Sequence, residues 1–432
     1  MTQRPYVVLV LSGGGARAAY QVGVYEALAE RGVRVDLVCG VSSGALNAAV
    51  IAGNPADERV GRLQAMWRSF RTSVDPGALL PEPWATMGRL ALGGASGIGR
   101  RGIYRLRAVP PFLAAPGTPD ATSLYSFDPL RATLAEYVDW DVVARGATRM
   151  AVGAVDVEDG RLTFFDSADE VVGPEHVVAS GAMPPGAAPV RIGDRLYWDG
   201  SLAGELALGP VLERVLRRRE TSRGIVALVV DPGSGPARAP TTLLDAATRR
   251  SEITHAARVR SALQLFFARS WAGATRGSAD PFVPSAGGGS VEAGEAIGVV
   301  HLCAAEGTDP GLLGPFDFTP SALERRMARG REHTAAALRA TPVDFDLFGD
   351  DPRPDMFVHV VRDGEVVDSR RRPLDGTDAD DHPDGATGDD PTELIEAISL
   401  RMPALTDEDI GGDPTEDTSS WTSIRAIRLE KE

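Results

Sequence analysis

Apolar residues recur along this chain in short unbroken runs, separated by glycine loops and by stretches with helical spacing. Tyr6 to Leu11 is one such run, the pattern of a strand covered on both faces. Ser12 to Gly15 is a glycine loop. Val22, Tyr25 and Leu28 then fall on one helical face between Ala18 and Arg31, with Gly32 just past the end as a stop. Val35 to Cys39 reads as a second strand, Gly40 to Gly44 as a tight turn, and Ala45 to Ala52 as a helix of small residues. Strand, loop, helix, strand, turn, helix is the order of an α/β fold with a mainly parallel sheet and helices on both faces.

Further along, the pattern loosens between Thr72 and Ser126, where proline and glycine are frequent. Pro129 to Val138 is a predicted helix. Ala147 to Val157 and Arg161 to Phe165 alternate like a hairpin about Asp159-Gly160. Leu196 to Trp198 is a short strand ending in Asp199-Gly200, followed by a helix at Leu206 to Arg218 and a buried strand at Ile225 to Val230. Leu243 to Trp271 is a long helical stretch, Thr275 to Gly294 a Gly/Ser-rich surface loop, Ile297 to Cys303 a last core strand and Ser321 to Leu338 a helix. A hairpin is predicted from Met356 to Val367 around Asp363-Gly364. Pro373 to Pro391 is rich in Asp, Gly and Pro with little to bury, the composition of a disordered linker.

Composition narrows the function classes. The 432 residues are 43% hydrophobic, enough for a sizeable core, and the net charge of −15 argues against a nucleic-acid binder, which needs a basic face. Cys39 and Cys303 are too far apart for a disulfide framework and lack metal-ligand spacing, so they read as small buried side chains and neither metal nor cofactor is expected. The segment Met1 to Pro5 has no signal-peptide character, and no apolar run approaches the ~18–20 residues of a membrane span. A cytoplasmic protein is expected, with any membrane contact peripheral.

The chemistry concentrates in two motifs. Gly40-Val41-Ser42-Ser43-Gly44 is G-x-S-x-G between a predicted strand and a predicted helix. A nucleophilic serine must stand out from a sharp turn, and Gly40 and Gly44 remove the Cβ atoms that would clash where strand and helix approach. The plain alternative is a tight turn with an incidental serine. Gly13-Gly14-Gly15-Ala16-Arg17 follows the first strand, and consecutive glycines let backbone N–H groups converge on an anion. In acyl transfer that anion is the tetrahedral oxyanion. Arg17 either adds charge there or ties the loop to a carboxylate. Two rivals are a flexible turn and a dinucleotide fingerprint, since Gly13, Gly15 and Ala18 fit G-x-G-x-x-A. The second rival needs an acid at the end of the next strand, and none stands near Val38 and Cys39.

Asp199 is the preferred base. It ends a short apolar strand, and Gly200 lets the chain turn behind it. Asp156, Asp159, Asp166 and Asp194 compete on proximity but lack that context. Of the histidines, His301, His333, His359 and His382 are late enough for a triad, yet none sits in a turn that singles it out, and His176 reads as a core histidine.

Taken together, the triple-glycine loop with Arg17, the elbow Gly40 to Gly44, the loop Ala179-Ser180-Gly181-Ala182-Met183-Pro184-Pro185 and the pair Asp199-Gly200 resemble the patatin-like phospholipase family. The resemblance covers about Tyr6 to Leu338 and departs from the family at Ala18, where glycine is usual. It implies a three-layer α/β/α sandwich, a Ser–Asp dyad without histidine, and hydrolysis of lipid or phospholipid acyl esters. The implied layout is an acyl hydrolase domain over 1–345 with a loosely structured, cap-like insertion at 72–126. A β-hairpin at 346–372, an acidic linker at 373–391 and a tail at 392–432 with one short amphipathic helix would follow. An acyltransferase on the same scaffold and a catalytically quiet regulatory protein remain open, and protein partners are unknown.

Two further features have both a functional and a plain reading. Arg100, Arg101, Arg105 and Arg107 cluster with Ile103, Tyr104 and Leu106, which suits either a cap touching anionic headgroups or a solvated loop with local ion pairs. In Leu243 to Trp271 the arginines fall around the helix, which favours packing over a membrane element.

Overall fold

The computed structural model describes residues 4–75, 79, 99–203, 224–232, 239–240, 246, 249–250, 252–259, 261, 297–303, 314–340, 355–362 and 365–373. The first strand, β1 (Tyr6–Leu11), leads through the glycine loop into helix α1 (Ala19–Glu30), then β2 (Leu37–Val41), helix α2 (Ser43–Ala52) and helix α3 (Arg59–Ser69). Short strands β3 (Gly99–Arg100), β4 (Tyr104–Leu106) and β5 (Tyr125–Ser126) follow, then β6 (Arg149–Asp156), β7 (Leu162–Asp166), β8 (Val190–Ile192) and β9 (Arg195–Asp199). The remaining strands are β10 (Ile225–Asp231), β11 (Ile297–Cys303), β12 (Asp355–Arg362) and β13 (Glu365–Pro373).

Among the described residues ten strands form one mixed sheet in the order β13-β12-β11-β10-β1-β2-β6-β9-β8, with β7 also on β6. The centre, from β12 to β6, is parallel throughout. Burial explains why these strands read as unbroken apolar runs. Leu9, Val38, Met150 and Leu228 stand side by side on one face, in a single hydrophobic cluster with residues of α1, α2 and α3. Their alternates Val10, Cys39, Ala151 and Val229 point the other way and are equally buried. A sheet covered on both faces loses the polar–apolar alternation that marks a half-exposed strand.

Two packing features hold this sheet to its surroundings. The β6–β7 hairpin turns at Gly160, whose φ is 70°, and Arg149 and Asp166 close its base through paired contacts of 2.7 and 2.5 Å, both side chains buried. The helix Pro320–Ala340 crosses α1 backbone to backbone: a Cβ on Gly23 would lie 2.6 Å from the amide nitrogen of Arg331, and one on Gly330 would meet the carbonyl of Tyr20.

Several expectations need revision. Within the stretch read as loose, residues 99–126 are ordered as an antiparallel sheet, β3-β4-β5. Its strands are two or three residues long, too short for a period to show. The strands expected around Asp363-Gly364 extend the central sheet, because β12 pairs in parallel with β11 and antiparallel with β13. Three of the four clustered arginines have partners within the protein: Arg100 is buried with its guanidinium 4.9 Å from the Phe318 ring, Arg105 pairs with Asp128 at 3.0 Å and Arg107 with Asp120 at 2.5 Å. The helix expected at Leu206 to Arg218, the loop at Thr275 to Gly294, the linker at 373–391 beyond Pro373 and the tail at 392–432 lie outside the described residues. Among the described residues no helix is long and apolar enough to cross a membrane.

Candidate active site

The turn between β2 and α2 carries Ser42 at φ 55°, ψ −126°, and among the described residues Ser42 is the one non-glycine residue with positive φ. Such a backbone costs on the order of 1–3 kcal/mol and persists only when its surroundings impose it. Two constraints do so here. A Cβ on Gly40 would overlap the carbonyl of Gly44, and one on Gly44 would overlap the carbonyl of Leu11 and lie 2.7 Å from that of Ser12. The start of α2 is therefore pressed against the end of β1, and the serine between them is pushed outward. Ser42 is half-buried, with the N-terminus of α2 directly behind it.

Strand register brings Asp199 to the same point. Gly153 of β6 pairs with Val41 on one edge and Phe164 of β7 on the other. The next residue, Ala154, pairs with Asp199 and with Thr163 of β7. Since β7 occupies one edge in both cases, β2 and β9 share the other, and the last residue of β9 lies next to the last residue of β2. The two strands meet almost end to end, one running up and one down. Asp199 ends its strand, as the sequence predicts, and that strand is antiparallel to β6 and fills the space β2 leaves beside it.

The outcome is direct contact. Ser42 Oγ donates to Asp199 Oδ2 at 2.9 Å. Asp199 is 1% exposed. Its other oxygen, Oδ1, accepts from the backbone N–H of Ser201 at 2.9 Å and from the Ser201 hydroxyl at 2.8 Å, and its own N–H donates to the carbonyl of Ala182 at 3.1 Å. The carboxylate is thus fixed on one oxygen and offers the other to the serine, the arrangement a base needs toward a hydroxyl.

The glycine loop adjoins this pair. Gly14 and Gly15 have φ of 150° and 59°, which side-chain-bearing residues rarely adopt. The carbonyl of Ser12, at the loop's start, accepts from Gln21 Nε2 at 2.8 Å, and a buried chain continues through Asn47 to Trp67. Of the two roles open to Arg17, the structure has the tie: its guanidinium meets Glu252 Oε1 at 3.0 Å in a buried ion pair. Arg17 is therefore anchored to Glu252.

Sequence reasoning missed Ser180, which it saw only as one letter of the proline-containing loop. Its hydroxyl, fully buried at the end of the helix Pro174–Ser180, accepts from the N–H of Ser42 at 2.9 Å and donates to the carbonyl of Gly153 at 2.6 Å. Ser180 thereby links the strained turn to β6. Ser180→Ala leaves two backbone groups without this partner and is expected to lower the unfolding free energy by about 2 kcal/mol, measured by denaturant titration.

Two histidines, one of them the late His301, flank a second carboxylate at the end of β10. His255 Nε2 lies 2.7 Å from Asp231 Oδ1 and His301 Nε2 3.8 Å from Oδ2. Burial would raise the Asp231 pKa, but the charge and hydrogen bond of His255, then those of His301, hold it below the usual carboxylate range. Burial opposes charge on His301 too, yet Cys303 and Asp231 beside it push it up to about 10. Asp156, Asp159 and Asp166 are taken by other work: Asp156 and Asp159 pair with Arg195, and Asp166 with Arg149.

Comparison with known proteins points to one family. The profile of the family described as Patatin-like phospholipase matches residues 9–212, which include Ser42, Ser180 and Asp199. A lysophospholipase of Aspergillus terreus is 44% identical over 70 residues, 14% of this chain and 5% of its own. The human patatin-like phospholipase domain-containing protein 6 is 43% identical over 68 residues, 16% of this chain and 5% of its own. The chain thus aligns with about one-twentieth of the length of these relatives. The crystal structure of VipD from Legionella pneumophila overlays 78% of this chain and 75% of its own at 12% identity and a TM-score of 0.27, a score at which the overlay says nothing further.

Proposed function

Residues 9–212 belong to the patatin-like phospholipase family, and from that premise we propose that this protein is a serine hydrolase of lipid acyl esters, of phospholipase A or lysophospholipase type, working through Ser42 and Asp199. The observation that carries the reading is the 2.9 Å hydrogen bond from a serine on a strained elbow to a buried carboxylate fixed on its far oxygen.

In the proposed reaction Asp199 takes the Ser42 proton as Oγ attacks the ester carbonyl. The carbonyl oxygen becomes an oxyanion held by backbone N–H groups of Gly13, Gly14 and Gly15, and one such donor lowers the barrier by roughly 3 kcal/mol. The tetrahedral species collapses, the alcohol or lysolipid leaves with the proton from Asp199, and an acyl-Ser42 remains. Water then attacks the acyl group with Asp199 again as base, freeing the fatty acid and restoring the serine. No histidine takes part.

A fluorophosphonate that reacts with active serines is expected to label Ser42, identified by peptide mapping, and the purified protein is expected to release fatty acid from a panel of lysolipids and phospholipids. Absence of labelling at Ser42 would speak for a catalytically quiet protein. Adding an acceptor alcohol separates hydrolysis from acyl transfer: free acid as the main product supports the hydrolase, and acylated alcohol the transferase.

A further inference from the structure

The long helical stretch read from the sequence as packing does something more specific over residues 252–259. These residues are helical, and Glu252, His255 and Arg258 recur every third residue, on one face of the helix. Each reaches a different part of the site. Glu252 Oε1 holds the guanidinium of Arg17 in the glycine loop at 3.0 Å. His255 Nε2 is 2.7 Å from Asp231 Oδ1 at the end of β10, the strand beside β1. Arg258 Nη1 donates to the carbonyl of Ser201 at 2.7 Å, and Ser201 is the residue whose N–H and hydroxyl fix Asp199 Oδ1.

We infer that this helix is a brace for the proposed dyad and that Arg258 is a positioning residue: by holding Ser201 it aims Asp199 Oδ2 at Ser42. The inference rests on the dyad reading and adds an element outside the span of the family match, which ends at residue 212. Arg258 is linked to Asp199 through Ser201, whose carbonyl it holds. The chain is Arg258 guanidinium, Ser201 carbonyl, Ser201 N–H and hydroxyl, Asp199 Oδ1. The chemistry favours this direction of influence. A guanidinium offers several rigid donors and gives its partner a fixed place, whereas Ser201 sits in a 3-10 turn of only three residues, Gly200–Leu202, just after β9. A carboxylate displaced by about 1 Å loses up to roughly a hundredfold in rate through misaligned proton transfer.

The test uses the full chain with a soluble chromogenic ester. Arg258→Ala is expected to lower both kcat and the rate of fluorophosphonate labelling of Ser42 about tenfold while KM changes less than about twofold, since aim is lost but the binding surface is kept. Arg258 is partly exposed, so ethylguanidinium added to the Arg258→Ala protein is expected to restore activity several-fold and to leave wild type unchanged, which a merely structural defect does not allow. Arg258→Met, which retains the stem and keeps the test valid if Arg258→Ala folds poorly, is expected to show the same loss of kcat. Wild-type kcat and labelling in Arg258→Met, or a loss in Arg258→Ala that ethylguanidinium does not relieve, overturns the inference and leaves the dyad standing. Absence of label at Ser42 in the wild-type protein overturns the dyad reading itself.

Discussion

Asp199→Asn is expected to cut turnover of a chromogenic acyl ester by roughly 10³–10⁴-fold, and Ser42→Ala to remove it, with the fold intact in both. The asparagine is the sharper of the two. Its amide has the shape of the carboxyl group and can still accept from the Ser201 N–H and hydroxyl that hold Oδ1. What it cannot do is take a proton, and toward Ser42 Oγ, now 2.9 Å from a carboxylate oxygen, it presents an amide that donates instead of accepting. Binding of the ester should therefore change little while the chemical step fails, and circular dichroism and the melting temperature should stay near those of wild type. Turnover in Asp199→Asn within tenfold of wild type would mean that some other group activates the serine.

The largest expected effect on stability falls at Gly44→Ala. The added methyl would meet the carbonyls of Leu11 and Ser12, which are backbone atoms and cannot swing aside. Helix α2 must then back away from β1, at about 3 kcal/mol by the measure of overpacked cores. Because the same contact sets Ser42 beside the glycine loop, ester turnover should fall roughly a hundredfold in the fraction that still folds. Gly61→Ala is the internal control. That glycine lies in α3, and a methyl added there would have nothing within 4 Å of it. Replacing it should raise stability by about 0.5–1 kcal/mol through helix propensity alone. Denaturant unfolding of the two proteins reads both; equal stabilities would show that α2 and β1 can part at little cost.

These residues also show which parts of the molecule can be read from sequence. The elbow and the glycine loop are legible because each is a local solution to a steric problem: Gly40 and Gly44 flank a single turn, and Gly13 to Gly15 fill one loop. The core strands are legible because double-sided burial leaves an unbroken apolar run, as in Ile225–Asp231. Asp199 could be singled out from its Asp-Gly turn, yet the way it reaches Ser42 could not. That depends on β9 taking over an edge of β6 from β2, a matter of register between segments more than 150 positions apart. Ser180 and Arg258 were opaque for the same reason, since each meets backbone groups far away in the chain, partners that no local pattern names. The small sheet of residues 99–126 failed on length alone.

The crossing of α1 with the helix Pro320–Ala340, and the pairing of β1 with β10, bear on how this protein can be handled. Both partners lie beyond residue 212, where the family match ends. A fragment cut after residue 212 would bare the backbone of β1 along Tyr6–Leu11 and strip the cover from Gly23. An unpaired apolar border of that kind recruits strands from neighbouring copies, so the trimmed piece should aggregate more readily than the whole chain.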